Sequence, residues 1–208
     1  MTHILRIDSS SRNATEGSHS RRIADRIVSH LQAQSPETAV LTRDLLATPL
    51  PHISNDTITG FYTPAEQMTD TLRDATALSD ALIEELAAAQ AVVLSVPIYN
   101  FSVPSALKAW IDHITRMGRT FTYEDGAFHP LLNDRPVYVV YAYGAGGYGP
   151  GGPLAHYDFM RPYLSMLLNF VGLTSLTDFV IEATTADPET VAAERARTHS
   201  AVDAHFGR

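Results

Sequence analysis

The run Val92-Val93-Leu94-Ser95-Val96 ends at Pro97, passes through Ile98-Tyr99-Asn100-Phe101, and continues as Ser102-Val103-Pro104-Ser105-Ala106-Leu107-Lys108-Ala109-Trp110-Ile111-Asp112. A valine-rich run with one polar residue offers no face to water. It has to be covered on both sides, as the inner strands of parallel sheets are. Pro104 suits the first helical position, where its missing N–H costs nothing. Leu107, Trp110, Ile111 and Ile114 then recur at helical spacing. Residues 97–103 therefore follow the carboxyl end of a parallel strand, where open α/β sheets place their ligand crevices. Two aromatics, an amide and several backbone N–H groups suit a flat ring with a polar edge. The competing reading is a tight strand-to-helix turn with Tyr99 and Phe101 packed as core.

The alternation continues along the chain. Strands are predicted at residues 3–8, 39–44, 91–96, 137–143 and 176–181. Helices are predicted at 18–33, 63–89, 104–117 and 156–171, with a last one capped by Asp187-Pro188-Glu189. Thr63-Pro64-Ala65-Glu66 has the form of a capping box with proline at the first helical position. Pro162 marks either a kink or the true start of its helix. The Pro-, Thr- and Asn-rich stretch 47–63 is predicted as a long connection. Residues 120–130 are predicted as a small hairpin or lid, in which Phe121 and Tyr123 alternate. No repeat, low-complexity tract or linker divides the chain, so residues 1–208 are expected to form a single domain. Five apolar strands alternating with helices predict an α/β, three-layer flavodoxin-like fold with a five-stranded parallel sheet.

Composition narrows the function. The chain of 208 residues is 45% apolar, a globular value, and carries a formal charge of −8 with only 15 Lys and Arg. That balance argues against nucleic acid or an anionic membrane as the main partner. The absence of cysteine excludes disulfides, thiolate nucleophiles and Cys-based metal sites. The nine histidines are scattered without ligand spacing, so no metal site is predicted. No G-x-S-x-G elbow is present. The N-terminus lacks the basic and apolar regions of a signal peptide, and no stretch is long enough to span a bilayer. The expected location is the cytoplasm.

Ser9-Ser10-Ser11 follow the first strand directly, and Ser18-His19-Ser20 open the first helix, with Arg12-Asn13-Ala14-Thr15-Glu16-Gly17 between them. Hydroxyls and free N–H groups at a helix N-terminus suit a phosphate, which the helix dipole also favours. The plainer reading makes Ser18 an N-cap and nothing more. The loop has no lysine and the chain has no G-x-x-x-x-G-K-[ST], which argues against an NTPase P-loop. Gly144-Ala145-Gly146-Gly147-Tyr148-Gly149 fits G-x-G-x-x-G. It continues as Pro150-Gly151-Gly152-Pro153, which cannot open a helix, so a dinucleotide-binding turn is disfavoured. A glycine-rich loop here either brings backbone close to a ring edge or is a mobile surface loop.

Together these residues resemble the FMN-dependent NADH-azoreductase/quinone oxidoreductase family over nearly the whole chain. The strongest segment runs from Pro97-Ile98-Tyr99-Asn100-Phe101 to Arg116-Met117-Gly118-Arg119-Thr120-Phe121. Pro162-Tyr163-Leu164 and Phe170-Val171-Gly172 are similar to further family pieces. Gly144-Ala145 departs from the usual Ser-Arg, and His19 from a common glutamine. The resemblance implies non-covalent FMN, one per subunit of a homodimer, with NADH or NADPH as donor and quinones or azo compounds as acceptors. It implies cofactor contacts at Ser10, Ser18, His19, Ser20, Pro97, Ile98, Tyr99, Asn100, Phe101, Gly144, Ala145, Gly146 and Gly147. Phe121, Tyr123 and Phe170 are candidate substrate walls, and simple packing is their alternative. No side chain is assigned as catalytic, because the chemistry would belong to the flavin. Two alternatives are a non-enzymatic flavodoxin-like electron carrier and a protein binding another phosphorylated ligand.

Overall fold

The computed structural model describes residues 2–12 and 17–207. Its elements in chain order are β1 His3–Asp8, α1 His19–Gln34, β2 Ala39–Asp44, α2 Asn55–Tyr62, α3 Asp70–Ala88, β3 Ala89–Pro97, α4 Ser105–Ile114, β4 Phe121–Glu124, β5 Ala127–Pro130, β6 Val137–Ala142, α5 Met160–Val171, β7 Leu176–Ile181 and α6 Pro188–Phe206. Five strands form a sheet in the order β2-β1-β3-β6-β7, and every pairing in it is parallel. This is the α/β architecture that the alternation predicts.

β3 takes the central position because its side chains can be buried on both faces. Val92, Leu94 and Val96 enter one core layer with Leu82, Leu107, Trp110 and Leu164. Ala91 and Val93 enter the other, with Ile4, Ile23, Ile27, Val140 and Val202. The two-residue period of a strand divides one apolar run between two layers. Full burial of each large aliphatic side chain contributes about 1.5–3 kcal/mol.

Most predicted boundaries hold within one or two residues; the helix predicted over 104–117 stops at Ile114, and three further regions differ. The connection 47–63 contains α2, whose N-cap Ser54 accepts from the Thr57 amide while Thr57 Oγ1 accepts from the Ser54 amide. This is a capping box built on threonine rather than glutamate, inside a composition that reads as loop. The box predicted at Thr63 and Glu66 does not form. Thr63 ends α2, its hydroxyl donating to Thr59 O at 2.8 Å. Ala65–Gln67 makes one 3-10 turn, and α3 starts afresh at N-cap Thr69, which accepts from the Leu72 amide. The helix predicted from residue 156 begins at Met160, after a 3-10 turn at Ala155–Tyr157. Asp158 Oδ1 accepts the amides of Met160 and Arg161. Pro162 thus falls in the first turn, where an amide has no intrahelical partner to lose.

The predicted hairpin is present as β4 and β5, pairing Phe121 with Pro130 and Tyr123 with Phe128. Asp125 and Gly126 both have positive φ (52° and 78°), as a two-residue Asp-Gly turn demands.

α2 docks on α3 through Gly60. A Cβ there would stand 2.6 Å from Thr76 Cγ2 and 3.3 Å from Leu72 O. Gly60→Ala is therefore expected to lower stability by about 1–3 kcal/mol despite alanine's better helix propensity, because the site is already filled. Urea denaturation checks this. Thr76→Ser in the same chain should recover part of the loss, since it removes the closest clashing carbon.

Candidate functional site

The carboxyl ends of β1 and β3 lie side by side at the point where the chain reverses its direction across the sheet. Three interactions join them. Ser9 Oγ donates to Ser95 O at 2.8 Å, Ser95 Oγ donates to Asp8 Oδ1 at 2.7 Å, and the Ser9 amide donates to Ser95 O at 3.2 Å. From that edge Ser10 leads out and α1 returns, with Ser18 as its N-cap. Ser10, Ser18 and Ser20 are all buried.

Two arginines fix this arrangement, Arg6 on β1 donating to Asp8 Oδ2 at 3.0 Å and to Arg21 O at 3.3 Å. Arg21, on the first turn of α1, is buried; its guanidinium donates to Asp44 Oδ2 and Oδ1 at 2.6 and 2.7 Å, to Asp8 Oδ2 at 3.4 Å, and to Ser10 O at 2.9 Å. The Arg21 hydrogen bonds, joined by the amides of Leu46 and Ala47, hold the Asp44 carboxyl down at about 2, against an ordinary 3.8.

A cavity of about 230 Å³ opens at this edge. Its walls are Ser10, Arg12, Gly17, Ser18, His19, Ser20, Pro97, Ile98, Tyr99, Ala142, Gly144, Thr184 and Thr185. The serine-rich segment and the segment after β3 thus meet in one cavity. Residues 13–16 of the intervening loop lie outside the described residues. The end of β7 went unread in the sequence. Thr184 Oγ1 donates to Tyr143 O at 3.0 Å and Thr185 Oγ1 to Gly144 O at 2.9 Å, tying this wall to the loop after β6. A threonine pair after a fifth strand carries no signal of its own in the sequence. His19 Nδ1 is buried and meets no partner among the described residues. Burial, and then the charges of Arg22, Arg195 and Arg12, push the His19 imidazole below its ordinary value.

Beyond Ile98 the chain turns tightly. The amides and carbonyls of Tyr99 and Ser102 exchange two hydrogen bonds, of 3.0 and 3.1 Å. Asn100 and Phe101 between them have φ of 49° and 71°. Asparagine tolerates the left-handed region, whereas a bulky aromatic there costs about 1–3 kcal/mol and marks a site held against strain. The restraint is visible: the Phe159 amide donates to Phe101 O at 3.1 Å, and the Phe101 ring lies 5.4 Å from that of Tyr157. The half-exposed Phe101 ring is not core. The Tyr99 hydroxyl meets both the amide and the hydroxyl of Ser11, at 3.1 and 2.5 Å, and so links the turn to the serine loop. Tyr99 also borders a second cavity of about 560 Å³, shared with Asn100, Lys108, Asp112 and Tyr163.

Of the four predicted glycine-loop residues, Gly144 lines the first cavity; Ala145, Gly146 and Gly147 continue past its walls. The Gly147 amide donates to Glu182 Oε2 at 2.7 Å. The loop runs through turns into a 3-10 segment rather than opening a helix, which rules out the dinucleotide-binding geometry.

Phe121, Tyr123 and Phe170 gather around Phe128, with centroid separations from 4.8 to 5.9 Å. None of them lines the first cavity. α5 starts beside Phe101 and runs back along the sheet, ending where Leu132 N meets Val171 O, ahead of β6. Phe170 therefore lies about 15 Å along the helix axis from the cavity end, at 1.5 Å per residue.

A family model described as "Flavodoxin-like fold" matches residues 2–206. The FMN-dependent NADH:quinone oxidoreductase of Xanthobacter autotrophicus is 51% identical over 176 residues, 85% of this chain and 84% of that protein. The FMN-dependent NADH:quinone oxidoreductase of Herminiimonas arsenicoxydans is 39% identical over 203 residues, 98% of each chain. Among solved structures, an azoreductase from Bacillus anthracis str. Sterne superposes with a TM-score of 0.88 at 23% identity, covering 99% of both chains. An FMN-dependent NADH-azoreductase from Bacillus anthracis str. Ames Ancestor, in complex with FMN, gives a TM-score of 0.84 at 20% identity, covering 99% of this chain and all of that one. At those identities the structural likeness speaks to the fold alone.

Removing the Arg21 guanidinium leaves Asp44 without its side-chain partner, while Asp8 keeps Arg6 Nε and the Ser95 hydroxyl. Arg21→Met is expected to cost about 1–3 kcal/mol in urea denaturation. The pH dependence has a definite sign. Asp44 has a folded value below its unfolded one, so its contribution is complete above about pH 4. That contribution is lost as pH falls from 3.8 toward 2, and Arg21→Met should remove this acid-dependent part of the stability profile.

Proposed function

We propose that this chain, which belongs to the flavodoxin-like fold family, is an FMN-dependent oxidoreductase that passes a hydride from NADH or NADPH to quinones or azo compounds. The observation that carries the reading is the single cavity at the β1/β3 switch point. It joins a serine-lined helix N-terminus to a ring-sized turn after the central strand. The names of relatives at 51% and 39% identity over most of the chain support it.

The residues present fit the cofactor. A phosphate needs several donors in a site partly closed to water. The buried hydroxyls of Ser10, Ser18 and Ser20, the first amides of α1 and the orphaned His19 Nδ1 supply them. A flat ring with a polar edge needs backbone donors beside it. The turn's two hydrogen bonds use the amides of Tyr99 and Ser102, so those of Asn100 and Phe101 stay available. Pro97, Ile98 and Gly144 give the ring its apolar and close-approach walls.

When bound, FMN supplies two-electron hydride chemistry in two half-reactions, with donor and acceptor using the site in turn. The protein's part is placement and electrostatics. The cradle anchors the phosphate, Tyr99 keeps turn and cradle in register through Ser11, and fixed amides face the edge where negative charge accumulates. No side chain is assigned a catalytic role.

The reading extends to a homodimer of single-domain, cytoplasmic chains spanning residues 1–208. Tyr123 and Phe128 are more than half exposed, at 53% and 57%. They stand with Phe121 and Phe170 at the far end of α5 from their own cavity. A second copy that brings this cluster over the first cavity gives these aromatics a role as substrate walls. Among the described residues no helix is long and apolar enough to cross a membrane.

The test is an absorbance spectrum of the purified chain after FMN loading and removal of excess, before and after anaerobic NADH. Retained flavin bands that bleach with NADH and recover with a quinone are the expected result. Loss of all colour on desalting overturns the cofactor assignment, and flavin that NADH cannot bleach favours a carrier. Phe101→Gly provides a second check. Relief of the left-handed strain should leave stability unchanged or raise it by up to about 1 kcal/mol. FMN retention should fall severalfold, because the turn's position is no longer enforced; equilibrium dialysis reads it.

A further inference from the structure

We propose that His19 couples cofactor retention to proton uptake: as the phosphate settles on the first turn of α1, the imidazole takes one proton from solvent and becomes a charged donor. The inference rests on the flavin reading above and adds a regulatory property to the same site.

Geometry carries it. His19 lines the cavity beside Ser10, Ser18 and Ser20. Its Nδ1 is buried and meets no partner among the described residues. A buried polar atom left in that condition carries a desolvation cost that a ligand can remove. Among the described residues, the charges acting on the ring are Arg22 on the same helix, Arg195 on α6 and Arg12 on the loop after β1. All three are cationic. Thr184 and Thr185, across the cavity, bring no charge.

Burial and three positive neighbours disfavour the imidazolium while the cavity holds no anion. A phosphate dianion reverses the sign of that environment, so the protonated ring becomes the favoured state. No covalent bond or electron moves; one proton passes from solvent to His19. Linkage then makes FMN affinity fall as pH rises, by up to about tenfold per pH unit for one full proton.

The experiment is titration calorimetry of FMN into the flavin-free full chain, from pH 6.5 to 8.5, in two buffers of different ionisation enthalpy. His19→Gln, which keeps a neutral donor that cannot titrate, is measured in parallel. Above pH 7 the FMN phosphate is almost wholly dianionic, its second ionisation lying near pH 6. Any remainder is common to both proteins.

The native chain is expected to take up a proton fraction that the variant does not. Its affinity should fall about three- to tenfold from pH 6.5 to 8, against a nearly flat profile for the variant. In the native protein, the imidazole nitrogen shifts of His19 at pH 7 should move toward imidazolium values when FMN is added. That measurement does not depend on the variant folding. Equal proton counts and parallel profiles, or imidazole shifts that stay neutral, overturn the coupling and leave the flavin assignment standing. Failure of the native chain to bind FMN at any pH overturns both.

Discussion

Two guanidinium groups tie the ligand edge of this protein to its scaffold: Arg6 on β1, which donates to Asp8, Asp25 and the Arg21 carbonyl, and Arg21 on α1. Arg21 reaches from the first turn of α1 to carboxylates at the ends of β1 and β2 and to the carbonyl of Ser10. The helix that presents its N-terminus to the cavity is therefore anchored at that same turn. This matters because a helix N-terminus attracts an anion only over the first turn. A planar, multi-donor guanidinium meets three acceptors at once, which a lysine ammonium on the same stem would do with poorer geometry.

The central strand was legible because burial on both faces leaves a pattern that little else produces. The serine segment and the residues after β3 were legible because the fold class puts both at the same sheet edge. Other features were not. α2 is built on a Ser54/Thr57 cap within residues that favour turns, so local composition and local structure disagree. Thr63 and Glu66 have the right spacing for a box, but Thr63 spends its hydroxyl on the preceding helix. Spacing cannot tell which of two helices a capping residue serves. Thr184 and Thr185 enter the cavity through pairing of the sheet, a long-range fact absent from their neighbourhood in the chain.

The aromatic residues show the limit of reading function from a motif alone. Phe121, Tyr123 and Phe170 do pack together, yet the direction of α5 puts them at the opposite end of the sheet from the cavity of their own chain. A sequence conveys which residues are aromatic and at what spacing. It does not convey the direction of the helix that carries them. A two-stranded hairpin is at best marginally stable by itself. Here β5 is exposed along its length and leans on α5 through Phe128 and Phe170.

The turn at Asn100 and Phe101 has a mechanical consequence. A left-handed phenylalanine relaxes as soon as its restraints loosen, and those restraints, the Phe159 amide and the Tyr157 ring, belong to the segment that follows the glycine-rich loop. The turn behaves like a latched spring whose catch is on another part of the chain. Insertions or deletions in residues 144–157 would therefore be felt first at the amides of Asn100 and Phe101, before the sheet or the helices register any change.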